Sequence, residues 1–248
     1  MSAIVTAARL RGFLRTFLIQ GSWNYRSLIG SGLAYALLPM LRVKFRGDPE
    51  GLQAAVRRQM TPFNAHPYLS GIAVGAVARM EEQGQEPEMI GRFKSAIQGS
   101  LGSLGDGLVW AGLRPLVLLV ALTVGWLGGA PYLAVGVFLV VYNTGHLWMR
   151  AWSFSTGLQG GHRVVERLQA ADLPALRQKT LTAGSFVLGV LIGVLAMAGT
   201  SLGVGFWPWI GVSLVGFAVG HRVGYAAWRP TVVLSAVAVL ALSILGLA

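Results

Sequence analysis

Residues 93–118 read FKSAIQGSLGSLGDGLVWAGLRPLVL, and the rest of the chain is best read outward from them. Arg92 and Lys94 open the stretch, glycine and serine crowd its middle around Asp106, and Arg114-Pro115 leads into a long uncharged run. Gly-rich, interrupted backbone at membrane depth is tolerated only where protein or a water-filled cavity surrounds it. An acid at such a place is a functional-site expectation, because burying its charge in lipid is expensive. A second reading fits the same residues: the glycines allow close helix packing and Asp106 caps the next helix.

The charge distribution sets the class. Of the 248 residues, 54% are hydrophobic and 12% charged, against about 25% charged in soluble domains. Residues 115–149, 180–221 and 230–248 contain no Lys, Arg, Asp or Glu. A spanning helix needs about 20 apolar residues, so the first two runs each fit a helical hairpin and the third a single span. The fold class expected is therefore an all-α integral membrane protein. It has about five transmembrane helices, near 108–128, 132–152, 183–200, 207–220 and 231–248. Amphipathic and re-entrant or broken helices precede them.

The net charge of +11 falls at the edges of the apolar runs, as the positive-inside bias predicts, so nucleic acid is not an expected partner. Residues 1–60 carry Arg9, Arg11, Arg15, Arg26, Arg42, Lys44, Arg46, Arg57 and Arg58 against Asp48 and Glu50. They read as cytoplasmic or interfacial, apart from a membrane domain over 61–248 whose broken helices occupy 61–115. The topology that follows has a cytoplasmic N-terminus and an outer C-terminus. The basic N-terminus lacks an apolar core with a small-residue cleavage site, so no cleavable signal peptide is expected.

Local signals refine the order of elements. Residues 4–19 mix apolar residues with three arginines, the pattern of a helix lying in the interface. Residues 28–41 are apolar but too short to span, which suits a re-entrant or interfacial helix. Asp48-Pro49-Glu50 is a helix start. Pro62 and Pro67 forbid regular helix before about Tyr68, and a short apolar helix follows to Met80, ending in Glu81 and Glu82. Residues 83–92 read as a polar cytoplasmic link. Asn64 and His66 in the Pro-broken stretch are either turn residues or polar groups of a discontinuous helix. Asn143, His146 and Arg150 share one helical face, as a hydrogen-bonding stripe or as an interfacial edge; Arg150 fits the edge better.

Catalytic patterns are missing. The sequence has no G-x-S-x-G, H-E-x-x-H or Walker motif and no Cys, and His66, His146, His162 and His221 lack metal-ligand spacing. No catalytic residue, metal or cofactor is expected.

Four segments together resemble a known family: FLIQGSWNYRSL (17–28), FNAHPYLSGIAVGAVARMEE (63–82), KSAIQGSLGSLGDGLVWAGLRPL (94–116) and NTGHLWMRAWSFSTGLQGG (143–161). They are similar, in order, to the IID component of mannose-family (mannose/fructose/sorbose) sugar phosphotransferase systems. The resemblance implies a bacterial inner-membrane subunit that pairs with a IIC subunit, in higher oligomers of such pairs. It further implies translocation of a mannose-type hexose that cytoplasmic IIA and IIB components phosphorylate, so the histidines here need not be catalytic. Ser100 stands where the family usually has proline, and the family's long extracytoplasmic insertion is missing. The expected cavity residues are Asn64, His66, Glu81, Gly102, Gly105, Asp106 and Asn143. The alternative is a scaffold, receptor or regulatory subunit without transport of its own.

Overall fold

The computed structural model describes residues 2–201, all in helices, turns and loops, with two isolated β-bridges and no sheet among the described residues. Two compact units are present: residues 1–117 with 138–181, and residues 118–137 with 182 onward. Most of the described hydrophobic core lies in the first.

In that unit, α1 (Ser2–Arg15) ends in a 3₁₀ turn, Thr16–Leu18, and packs on α2 (Gly30–Lys44). Pro39 sits inside α2, where its missing N–H frees the carbonyl of Tyr35. Arg15 Nη1 donates to that carbonyl at 3.1 Å, so the helix defect is answered from the neighbouring helix. Helix α2, expected to be re-entrant or interfacial, contributes to the core: Leu33, Ala36, Leu37 and Leu41 are fully buried against α1, α3 (Pro49–Gln59) and α4 (Ser70–Glu82). Its fifteen residues are too few to span but enough to bury one long face inside the unit. Helix α3 starts where the sequence places it, with Asp48 Oδ1 accepting from Gly51 N–H at 2.9 Å.

Two irregular backbone stretches form one joint. The turn around Asn24, whose Oδ1 accepts from the N–H groups of Arg26 and Ser27, lies beside the Pro-broken 61–69 segment. Ile29 N–H donates to Phe63 O at 3.0 Å and Phe63 N–H to Ser27 O at 3.3 Å. The two irregular stretches thus satisfy each other's backbone groups.

Helix α5 (Pro87–Gly105) runs without interruption through a π-helical segment, Asp106–Leu113, into α6 (Arg114–Leu127). This corrects two expectations. Residues 87–92 of the presumed link are already helical, started by Pro87 in the first turn. The Gly/Ser-rich stretch is also not broken into loop. The defect is absorbed as wide turns immediately ahead of Pro115, whose ring and missing N–H disrupt regular α-helix there. Helix α7 (Pro131–Gly160) follows, then a 3₁₀ turn, α8 (Val164–Ala170) and α9 (Leu173–Ser201).

Among the described residues, two continuous helical stretches, Pro87–Leu127 and Pro131–Leu195, are long and apolar enough to cross a membrane. The spans expected near 108–128, 132–152 and 183–200 fall on helix, while 207–220 and 231–248 lie outside the described residues. In the second unit, Gly125 meets Ala134 across the turn between α6 and α7, and Ala121 and Leu191 are buried.

Helices α4 and α7 meet through small residues on both sides. A Cβ at Gly71 would strike Ser153 Oγ, one at Gly75 would strike the Phe154 carbonyl, and one at Gly157 the Ile72 carbonyl. Each helix therefore presents a small-xxx-small pair, and the two backbones touch. Gly75→Ala is expected to lower stability by about 1–3 kcal/mol through overpacking. Gly99→Ala, where nothing lies within 4 Å, should be neutral or stabilising because alanine is the better helix former. Thermal melting of the two purified variants in detergent checks the contrast.

Candidate functional site

The Pro67-bounded irregular segment delivers His66 and Tyr68 into the core, and helix α7 meets them with Tyr142, His146 and Arg150 at i, i+4, i+8. The Tyr68 and His146 rings stack at 4.1 Å, and Tyr68 Oη and Tyr142 Oη are 3.0 Å apart. Arg150, 7% exposed, donates from Nε to His146 Nε2 at 2.6 Å and from Nη1 to Thr16 O at 2.8 Å. Its guanidinium also lies over the Phe17 and Tyr68 rings. So Arg150 is a buried tie between α7 and the end of α1, not an interfacial edge.

His66 is the unusual member. Its ring is 2% exposed and packs edge-on to Tyr68 and against Trp110 of the π segment. Tyr68 N–H donates to His66 Nδ1 at 3.2 Å, which leaves Nε2 as the protonated nitrogen. Nε2 is buried and has no hydrogen-bond partner among the described residues, a cost of about 1–3 kcal/mol for an unsatisfied donor. The ring fits because residue 105 has no side chain: a Cβ on Gly105 would collide with His66 Cβ and Cγ. Gly107 and Gly112 do the same for Arg177 and Thr180 of α9. Three glycines of this stretch, Gly105, Gly107 and Gly112, are thus spent on close packing.

The other expected residues are dispersed. Asp106 is exposed on this chain and does not start a separate helix, because α5 passes at Asp106 directly into the π-helical segment. Gly102 is half-buried with no atom within 4 Å of an added Cβ. Asn64 is exposed, and its backbone N–H donates to Gln98 Oε1 at 3.4 Å. Gln98, Gly102 and Asp106 follow at four-residue steps on the same flank of the helix, so Asn64 extends a polar edge beside the buried His66. Asn143 is exposed and donates to Leu139 O of its own helix at 2.7 Å; Tyr142, its neighbour, is the inward residue. The structure brings together His66 and Gly105 but not the whole set.

Glu81 belongs to a different assembly. It is 4% exposed and accepts from Arg58 Nη2 at 2.8 Å and Gln59 Nε2 at 3.0 Å. Lys94, 3% exposed, donates to Arg58 O, Gln59 O and Thr61 Oγ1. Its neighbour Glu82 takes Arg9 through both carboxylate oxygens. The two acids tie α4 to α3 and to α1, and Lys94 ties α5 to the end of α3. Among the described residues no group of His, Cys, Asp and Glu is arranged to hold a metal ion.

Comparison with known proteins decides the family. Residues 4–206 match the family described as PTS system mannose/fructose/sorbose family IID component. The chain belongs to that family. It is 28% identical over 194 residues to the mannose-specific EIID component of Escherichia coli K12, covering 76% of this chain and 68% of that protein. It is also 28% identical to the sorbose-specific EIID component of Klebsiella pneumoniae, covering 73% and 66%. The Bacillus subtilis fructose permease IID component is 26% identical over the same shares. The solved structure of the mannose transporter ManYZ in complex with microcin E492 superposes at TM-score 0.59 and 25% identity, over 75% of this chain and 69% of that one. As a IID family member the chain is a membrane component of a sugar phosphotransferase system, in keeping with its apolar helices.

Two residues of this cluster were not singled out from the sequence: Tyr68 and Trp110, the rings that pack against His66. Their aromatic character next to a Pro-broken segment was the available signal. Arg150→Lys is expected to lower stability by about 1–3 kcal/mol, since an ammonium cannot reach His146 and Thr16 O together and leaves buried acceptors unpaired. A melting curve of the purified variant, compared with the parent chain, measures it.

Proposed function

We propose that this chain is the IID membrane subunit of a mannose-family sugar permease. It works with a IIC subunit to carry a hexose inward, where IIA and IIB components phosphorylate it. Membership of the IID family over residues 4–206 carries this reading. The similarity to a mannose transporter structure supports the choice of partner and of sugar class. Residues 1–60 lie at the cytoplasmic side and 61–248 form the membrane part, in a bacterial inner membrane with the N-terminus inside and the C-terminus outside. The IIC–IID pairs assemble into higher oligomers.

The sugar-facing part of this subunit is the edge running from Asn64 past Gln98 and Gly102 to Asp106, with His66 behind it. A hexose needs paired donors and acceptors beside apolar ring faces. Asn64 and Asp106 supply the polar partners, His66 Nε2 supplies a donor that this chain leaves unsatisfied, and the exposed Trp110 supplies an aromatic face. Because Asn64 and Asp106 are exposed on this chain alone, the IIC partner closes the other side.

A scaffold or regulatory role is the second reading. It is favoured by that same exposure, because an exposed polar edge also serves simply to dock a partner. The two readings part in one experiment. The chain is expressed with IIC and the cytoplasmic components in cells lacking a mannose-type permease, and sugar uptake and IIC co-purification are both measured. Asp106→Ala and Gly105→Ala are each expected to cut uptake about tenfold or more while IIC still co-purifies. Uptake unchanged in both variants removes this edge from the sugar path and leaves the scaffold role.

A further inference from the structure

The first unit carries a feature that neither sugar handling nor helix packing uses. Between α1 and α2 lies a groove of ≈ 630 Å³, and four arginines line it: Arg11, Arg15, Arg42 and Arg46. Arg11 and Arg15 are one turn apart on α1 and project from one face, while Arg42 lies in the last turn of α2 and Arg46 just beyond its end. No acid is among the lining residues. The ion pairs of the described residues use Arg9, Arg58 and Arg79 instead. Arg9 and Arg11 are two residues apart, yet only Arg9 is given a carboxylate.

Four like charges around one groove repel one another, a cost that a bound anion would offset. Arg15 is already oriented for such a role: it donates to Tyr35 O, and its guanidinium lies 4.4 Å from the Tyr35 ring centroid. Guanidinium groups hold phosphate oxygens in pairs. The rest of the groove is hydrocarbon, from residues that include Val5, Ala8, Pro39 and Val43. Outside it, α1 exposes Leu10 and Leu14, and the chain continues with exposed Leu18 at the same four-residue step.

We infer that this groove is a binding site for an anionic phospholipid. The headgroup phosphate sits among the four arginines and an acyl chain follows the apolar wall toward the Leu10–Leu14–Leu18 stripe. A soluble phosphate uses only the cations; the hydrocarbon lining and the exposed leucines beside it fit an amphiphile at the membrane interface. The lipid then fastens α1, and through Arg9–Glu82 the end of α4, to the inner leaflet.

Native mass spectrometry of the full chain, released from micelles doped with equal phosphatidylglycerol and phosphatidylcholine, tests the assignment. Retention of phosphatidylglycerol about tenfold above phosphatidylcholine is expected. Arg11→Gln/Arg42→Gln should bring it to the phosphatidylcholine level, while Arg26→Gln, outside the groove, should leave it unchanged. Should the double variant not insert, Arg46→Gln, at an exposed position beyond the end of α2, is read in its place and should lower retention several-fold. Equal retention of the two lipids overturns the proposal, as does preference that survives the groove variants. Displacement of the lipid by millimolar inorganic phosphate or a hexose phosphate would assign the arginines to a soluble anion and overturn it too.

Discussion

Two helices reach backbone contact only where side chains are withheld, and the crossing of α4 and α7 at Gly71, Gly75, Ser153 and Gly157 depends on that. Lipid is as apolar as leucine, so association of membrane helices draws on close packing and hydrogen bonds rather than on expulsion of water. Once the crossing is made, it sets which face the neighbouring turns of α7 present to the first unit. Arg150 lies just before Ser153 and is carried to the end of α1, His146 onto Tyr68, and Tyr142 onto the Tyr68 hydroxyl. The aromatic cluster around His66 is therefore a downstream result of glycines that never touch it.

Charge in this unit is divided into two kinds. Glu81, Lys94 and Arg150 are buried and each is met by several partners, as a low-dielectric interior demands. The arginines of α1 and the end of α2, apart from Arg9, face the groove and carry no carboxylate. Sequence alone sees only cations near apolar runs in both cases. The difference lies in long-range geometry: Arg58 finds Glu81 across 23 positions, and Arg150 finds Thr16 across 134.

What was legible follows the same division. Local chemistry announced itself: the helix start at Asp48-Pro49, the interruption between Pro62 and Pro67, and the short apolar helix ending at Glu81–Glu82 all stand where residue types put them. The membrane class came from three uncharged runs, and the family from four motifs in order. The site was only half legible. His66 and Gly105 proved to be in contact, although nothing in their spacing of 39 positions encodes it. Asn143 was chosen as the polar residue of its stripe, but adjacent helical positions point about 100° apart, and the inward one is Tyr142. Glu81 looked like an acid at depth and is a fastening between helices. The glycine-rich stretch looked like a break because glycine signals both flexibility and close approach, and only tertiary contact separates the two.

The wide turns at Asp106–Leu113 bear on how the long helix tolerates change. A π-helical turn takes up more residues than the 3.6 of an α-helix, so the angular frame of α5 is reset before α6 begins. Removing or adding a residue ahead of Arg114 would act as a screw, swinging every later side chain of that helix around its axis while leaving composition almost untouched. For this part of the chain, the count of residues between Gly105 and Pro115 bears on orientation as directly as glycine at 107 and 112 bears on packing.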